Sequence, residues 1–197
     1  DGANLDVTYH RDESFVVSGY IDVPNTEYAQ FSIDWINECA RVLRPGGSIY
    51  IVSGYTNLHH VLNALHNTEL KEINHIIAKY TFGVNATKKF ISSHYHVLFW
   101  MKPERGKQKR TFNTFWKYSE INDSYNDRLT VQDLPRDYLQ GQIKNKNQLS
   151  EDFITKFIMY SSNRGDTVLD CFGGGFTTGR VAPVSYTHLR AHETDSY

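Results

Sequence analysis

The sequence predicts an α/β fold, in which helices and strands alternate along the chain. Helical and strand patterns alternate between residues 25 and 101, which is typical of that class. An apolar run at Thr167–Cys171 then leads into a glycine turn and another helix start. With 197 residues, 40% of them apolar, the chain can form one domain with a packed core, and two domains are also possible.

The first helix and the first strand have the clearest patterns. Apolar residues recur at three- and four-residue steps over Tyr28–Leu43, so they form one face of a helix. We expect Asn25 or Thr26 to cap this helix and Pro45–Gly47 to end it. The run SIYIVS, rich in β-branched and aromatic residues, predicts a buried strand over Ser48–Ser53.

A second helix and a pair of strands follow. Leucine and valine residues on one face predict a helix over Asn57–His66. Strands are predicted over Ile73–Tyr80 and His94–Met101. We expect these two strands to pair antiparallel, because the link between them is short and a parallel crossover needs more chain.

Residues 103–149 have little periodicity, and we interpret them as an inserted, loop-rich region. Basic and aromatic side chains interleave in its first part, PERGKQKRTFNTFWKY. This pattern suits phosphate contact and base stacking, and a solvated, charged loop is the alternative. The basic residues are Arg105, Lys107, Lys109, Arg110 and Lys117, and the aromatic residues are Phe112, Phe115, Trp116 and Tyr118.

The last predicted helix leads into the glycine loop. Ser150 is expected to cap this helix, and Glu151 and Asp152 suit its positive N-terminal end. The strand Thr167–Cys171 and the loop Gly173–Gly175 follow. The loop lacks both the lysine of a P-loop and the spaced glycines of a dinucleotide site. Its backbone suits a ligand carboxylate or an adenosyl group, and a tight turn without a ligand is the alternative.

The phrase SSNRGDTVLDCFGGGFTT resembles the methyl-donor motif of amino-group DNA methyltransferases, which make N6-methyladenine or N4-methylcytosine. The match includes Gly165-Asp166, Asp170, Phe172 and Thr177-Thr178. Two positions depart from the family pattern. Phe176 stands where a glycine is common, and Cys171 where a proline is common.

The resemblance extends over about Asn25–Ala182. EYAQFSIDWINECARVLRPGGSIYIVSGY is similar to the helix and strand that follow the family's catalytic motif. Lys88-Lys89-Phe90 and His94 fall at its K-R-F…H signature. The order of the motifs resembles the β-type arrangement, with the catalytic half first and the donor loop late.

The resemblance implies a Rossmann-like sheet, incomplete here, with an inserted target-recognition region, and S-adenosylmethionine as cofactor. Ser48–Ser53 and Thr167–Cys171 should then be parallel strands of one sheet. The implied cofactor residues are Gln148, Leu149, Ser150, Asp170, Phe172, Gly173, Gly174, Gly175 and Thr177. The implied DNA-binding residues are Lys88, Lys89, Arg105, Lys107, Lys109, Arg110 and Lys117.

No catalytic residue is assigned. The family's catalytic loop is an Asp/Ser/Asn-Pro-Pro-Tyr/Phe tetrapeptide, and residues 1–24 contain no Pro-Pro pair. The segment DGANLD either follows that motif or is an altered remnant of it, and the sequence leaves both open. We predict no metal site, because the histidines lack metal-ligand spacing.

The resemblance divides the chain into parts with different expected roles. Residues 1–102 are the catalytic half, 103–147 the recognition insert and 148–183 the cofactor-binding part. Residues 184–197 are expected to be a non-native, disordered tail, because VSYTHLRAHET resembles the translated read-through of a transposon-end adapter used for sequencing libraries. A genuine polar tail is the alternative. We therefore expect the chain as written to be an inactive fragment.

Composition narrows the partners and the location. The net charge of -1 gives no overall bias toward nucleic acid, so any basic surface must be local. The two cysteines fit a reducing compartment, and we expect a cytoplasmic protein without a membrane partner. Double-stranded DNA and a restriction endonuclease are the partners that the resemblance implies. A dinucleotide-binding oxidoreductase fragment and a non-catalytic DNA-binding remnant are the alternatives.

Overall fold

The computed structural model describes residues 23–80, 87–114, 128–134, 148–184 and 188–191. Helices and strands alternate over these residues, which confirms the predicted α/β class. The elements are α1 (Tyr28–Val42), β1 (Ser48–Ser53), α2 (Leu58–His66), β2 (Lys71–Lys79), β3 (His94–Met101), β4 (Val131–Asp133), α3 (Glu151–Ser161), β5 (Thr167–Asp170), α4 (Thr177–Val184) and β6 (His188–Ala191). They belong to two compact units. The first contains the described residues up to 110 and residues 128–133, and the second contains the other described residues.

Helix α1 begins later than the sequence predicts. Glu27, and not Asn25 or Thr26, is its N-cap residue, and no side-chain hydrogen bond caps the helix. A turn precedes it, in which the Glu27 amide donates to the Pro24 carbonyl at 2.9 Å. This turn leads the chain into the helix, and the amides of the first helical turn have no side-chain cap.

The first unit contains a four-stranded sheet in the order β1-β3-β2-β4. Strand β3 pairs antiparallel with β2, as predicted, and also with β1 over all six residues of β1. Helices α1 and α2 cover the face of the sheet that carries Leu98 and Trp100, and both side chains are buried. The core of this unit therefore lies between the two helices and the central strand.

Part of the predicted insert belongs to this sheet. Strand β4 pairs in parallel with the C-terminal end of β2, and Lys79 forms an ion pair with Asp133 at 2.9 Å. The region that we interpret as loop-rich thus contains one short strand. Three residues are too short for a periodic pattern, so the sequence carries no strand signal there.

The second unit packs α3 and α4 against β5. Ile158, Val181 and Ala182 form a buried cluster, and Val168 of β5 packs on it. Leu169 points the other way and is 49% exposed, because successive strand residues face opposite sides. The apolar run thus forms a strand that is only partly buried.

Strands β1 and β5 belong to different sheets, so the prediction that they are parallel members of one sheet is also wrong. Strand β1 pairs with β3, and β5 pairs in parallel with β6. Strand β6 lies in the tail that we expected to be disordered, and α4 continues to Val184. The backbone of His188–Ala191 pairs with the edge of β5, which a sequence without alternating polarity can also do. Within the described ranges, no helix has both the length and the apolar character to cross a bilayer.

Candidate functional site

The glycine loop is a closed turn between β5 and α4. The carboxylate of Asp170, at the end of the strand, accepts a hydrogen bond from the Phe172 amide at 3.0 Å. The Phe176 amide then donates to the Gly173 carbonyl at 2.7 Å. Gly174 has a φ of 49°, in the left-handed region that favours glycine. These contacts fix the course of the backbone from the end of β5 to the start of α4.

Two glycines of the loop have different surroundings. A Cβ atom added to Gly173 would meet no atom of the described residues within 4 Å. A Cβ atom added to Gly175 would lie 3.1 Å from Oε1 of Gln148, closer than ordinary packing allows. The space beside Gly173 is thus open, and Gly175 allows the Gln148 side chain to approach the loop.

The structure therefore brings together the two predicted cofactor segments, Gln148–Ser150 and the glycine loop. Ser150 is buried, and its Oγ accepts a hydrogen bond from the Phe153 amide at 3.3 Å, which confirms the predicted helix cap. Its hydroxyl is engaged with its own helix, so Ser150 fixes the start of α3. Gln148, which precedes it, is exposed and reaches Gly175.

Phe176 adopts an unusual backbone conformation. Its φ is 60°, the left-handed region in which a residue with a side chain costs roughly 1–2 kcal/mol. Its ring lies over Gly179 in the first turn of α4, where a Cβ atom would overlap the ring. The glycine at 179 thus provides the room that Phe176 needs, and the side chain turns onto the helix.

Arg180 is a residue of this site that sequence reasoning missed. Its Nε donates to Oε1 of Glu151 at 2.7 Å, and its Nη1 donates to the Gly175 carbonyl, also at 2.7 Å. One signal was available in the sequence. A cation near the positive N-terminal end of a helix is unfavourable without a partner, so its position called for one.

The basic segment 104–110 is ordered around Glu104. Arg105 and Gln108 form a β-bridge across a tight turn that contains Lys107. Glu104 forms an ion pair with Lys109 at 3.2 Å and accepts a hydrogen bond from the Arg110 amide at 2.9 Å. The Arg110 amide and, after it, Lys109 lower the pKa of the Glu104 carboxyl. The cluster thus holds one carboxylate that competes with any phosphate for Lys109.

The described side chains of the other predicted DNA-binding residues are not part of the ion pair between Glu104 and Lys109. Lys88 and Lys89 are exposed, and Phe90 beside them is fully exposed, a feature that the sequence pattern alone did not show. The guanidinium of Arg110 lies 5.7 Å from the centroid of the Phe99 ring. Lys117 lies outside the described residues, together with Phe115, Trp116 and Tyr118.

Phe112 is already engaged within the second unit, where its ring stacks on Tyr160 at 5.1 Å. Its neighbour Asn113 donates from Nδ2 to the carbonyls of Met159 and Ser162, each at 3.0 Å. Phe112 therefore helps to anchor the chain on the end of α3. Phe112 is nevertheless 38% exposed, so base stacking by its ring stays a prediction.

A cluster of histidines lies on the sheet of the first unit. Nε2 of His75 lies 2.8 Å from Nδ1 of His96, and the His94 ring meets the His96 ring edge-on. Burial first, and then His75 and His94, lower the pKa of His96. Among the described residues, no three side chains are arranged to hold a metal ion.

Comparison with known sequences gives one family. The family model described as DNA methylase, which covers N6 and N4 methyltransferases, matches residues 20–185. The type II methyltransferase M.BamHI of Bacillus amyloliquefaciens is 30% identical over 203 residues, 92% of this chain and 45% of the relative. M.HinfI of Haemophilus influenzae is 29% identical over 165 residues, 79% and 45% respectively. The chain thus spans about half the length of these relatives.

Solved structures show the same fold. The complex of M1.HpyAVI with S-adenosylmethionine superposes with a TM-score of 0.69 at 21% identity, covering 88% of this chain and 80% of that one. The cytosine-N4-specific PvuII DNA methyltransferase has a TM-score of 0.65 at 16% identity, with 91% and 71% covered. At these identities the likeness establishes the architecture, and it confirms the predicted fold class.

Proposed function

The chain belongs to the DNA methylase family, and from this premise we propose that the full-length gene product is a site-specific DNA methyltransferase. It would transfer a methyl group from S-adenosylmethionine to an exocyclic amine, N6 of adenine or N4 of cytosine. One observation supports the assignment of particular residues to the cofactor. The Gln148 side chain lies against Gly175, which supports one cofactor site made by the two segments that the resemblance assigns to the cofactor.

The residues present fit S-adenosylmethionine. The space beside Gly173 is open to a ligand, and a larger side chain at this position would occupy it. Phe172 is largely exposed and offers an apolar ring surface to an adenine. Asp170, the glycine loop and Thr177 would hold the ligand from one side and Gln148–Ser150 from the other. When bound, the cofactor supplies an electrophilic methyl group on a sulfonium.

The residues of this chain would position the reaction. An exocyclic amine is a poor nucleophile, because its lone pair is delocalised into the base, so alignment with the methyl group matters most. The hydrogen bonds from Phe172 to Asp170 and from Phe176 to Gly173 hold the loop in one shape. Because the loop is already ordered, positioning of the methyl donor would not add the entropy cost of ordering the backbone to the barrier of the reaction.

DNA contact is proposed for the basic residues of the first unit. Lys107 lies in the turn between Arg105 and Gln108, and Lys88 and Lys89 flank the exposed ring of Phe90. Ammonium and guanidinium groups neutralise phosphates without reading sequence, whereas an exposed aromatic ring can stack on a base. This combination suits a nucleic acid better than a small acidic ligand.

The proposed function is tested by methyl transfer. The full-length gene product is incubated with plasmid DNA and S-adenosylmethionine labelled in the methyl group, and the modified nucleoside is identified by mass spectrometry. We expect N6-methyladenine or N4-methylcytosine. Label on carbon 5 of cytosine would contradict the proposal. Cofactor and DNA binding without transfer would instead support the alternative of a non-catalytic remnant.

We also propose that these 197 residues alone do not catalyse the transfer. No Pro-Pro pair occurs anywhere in them, so the tetrapeptide that the family uses to hold the target base is absent. The same assay on this chain should give no incorporation above that of a heat-denatured sample. Incorporation would show that another segment replaces the tetrapeptide. A restriction endonuclease that cleaves the unmodified plasmid but not the methylated one would have the target sequence expected of the proposed partner.

A further inference from the structure

Arg180 connects three parts of the second unit through one guanidinium. It forms an ion pair with Glu151, the first residue of α3, at 2.7 Å. It also donates to the Gly175 carbonyl at 2.7 Å, and its Nη2 lies 3.5 Å from Oγ1 of Thr177. The first turn of α3, the glycine loop and the first residue of α4 are thus joined through this side chain.

These contacts lock the peptide bond between Gly175 and Phe176. The peptide group is planar, so its carbonyl and its N–H cannot turn independently. The carbonyl of Gly175 is held by Arg180, and the N–H of Phe176 donates to Gly173 at 2.7 Å. Rotation of this peptide would break both hydrogen bonds, so they favour the observed curvature of the loop.

The ion pair also fixes the segment that precedes α3. Glu151 follows directly on Ser150 and lies three residues after Gln148, whose side chain reaches Gly175. Two side chains therefore approach Gly175. Gln148 precedes α3 in the chain, and Arg180 is joined to the start of α3 by its ion pair with Glu151. A change at Arg180 should alter the distance between the two segments.

The position of this cation is not explained by helix stability. Arg180 lies near the N-terminal end of α4, where a positive charge opposes the helix dipole. Glu151 offsets that charge, and as an acidic residue at the start of α3 it is itself well placed. The Glu151 carboxylate thus connects two segments in addition to its favourable position at the start of α3.

We propose that Arg180 is a positioning residue of the cofactor site, which sets the separation between Gln148–Ser150 and the glycine loop. This role rests on the proposed function. It requires no contact between Arg180 and the ligand, because the side chain acts through the Gly175 carbonyl and through Glu151.

The test compares cofactor binding by Arg180→Gln, Glu151→Gln and a matched control in the full-length gene product. The control is Arg41→Gln, which removes another exposed arginine that pairs with a helical glutamate, Glu38, at 2.7 Å. Binding of S-adenosylmethionine is measured by titration calorimetry, and KM is measured for both substrates. In Arg180→Gln the hydrogen bond to the Gly175 carbonyl no longer orders the loop, so the ligand must order it on binding, and affinity for S-adenosylmethionine should be weaker by up to about 10-fold. KM for DNA should stay unchanged, and the control should bind like the wild type.

A conservative variant separates positioning from simple stability. Arg180→Lys keeps a charge beside Glu151, but a single ammonium replaces the fork that reaches both partners, so affinity should lie between wild type and Arg180→Gln. Wild-type affinity in Arg180→Gln, or an equal loss in Arg41→Gln, would overturn the inference. If Arg180→Gln does not fold, the same criteria apply to Arg180→Lys and Glu151→Gln. A wild-type protein that does not bind S-adenosylmethionine would instead refute the proposed function.

Discussion

Replacement of Gly173 by valine should separate ligand binding from folding. A Cβ atom at this position meets no described atom within 4 Å, and the backbone is not left-handed there. The new side chain should therefore cost the folded protein little. Replacement of glycine by alanine at a compatible position stabilises by roughly 0.4–1 kcal/mol, through the unfolded chain, and we expect valine to act in the same direction. The protein without ligand should thus be as stable as wild type or slightly more stable.

Cofactor binding should weaken, because valine fills the space that the proposed ligand occupies. Forcing extra carbon atoms into a packed contact costs about 1–3 kcal/mol, and about 1.4 kcal/mol is a tenfold change in affinity. We take about 30-fold as the central value. At a ligand concentration of about 100 times the wild-type Kd, the ligand stabilises wild type by about 2.7 kcal/mol and Gly173→Val by only about 0.9 kcal/mol.

The assay is thermal unfolding with and without S-adenosylmethionine. Gly54→Val is the matched control, because a Cβ atom at Gly54 also meets no described atom within 4 Å and no ligand contact is proposed there. The control should keep the full ligand-induced rise in Tm, and Gly173→Val should lose most of it. A full rise in Gly173→Val would refute the assignment of this space to the cofactor.

Three further predictions concern the first unit. Glu104→Gln frees Lys109, so it should strengthen DNA binding and steepen its salt dependence by about one ion, and an unchanged salt slope would contradict this. Phe90→Ala should weaken DNA binding with no change in Tm, because the ring is fully exposed; equal affinity in filter binding would exclude stacking. The lowered pKa of His96 means that the unfolded chain binds a proton at about pH 6.5 whereas the folded protein does so only at lower pH. Stability in urea should therefore fall as pH drops below about 6.5, and His96→Gln should flatten that fall; an equally steep fall in the variant would assign the effect to other groups.

Local patterns predicted the elements whose contacts are near in sequence. The cap at Ser150, the helix α2 and the antiparallel pair β2–β3 follow from side-chain chemistry and short links, and the structure confirms each. The glycine loop was predicted for the same reason, since a strand, three glycines and a helix start are adjacent in the chain.

The features that the sequence did not reveal depend on distant partners. Strand β4 is too short for a pattern and forms because its backbone meets the edge of β2. The partner of β1 could not be predicted, because hydrogen bonds between strands carry no sequence signature of their own. Arg180 was missed because its hydrogen-bond partner, Glu151, lies 29 residues away in the sequence.

Hydrogen exchange with and without S-adenosylmethionine tests the central claim most directly, because it locates the ligand on the chain. If Gln148–Ser150 and the glycine loop form one cofactor site, the ligand should slow exchange in peptides from both segments at the same concentration. Peptides from Leu58–His66, in the first unit, serve as the internal reference and should not change. Protection of only one of the two segments, or of neither while the ligand is bound, would contradict the account.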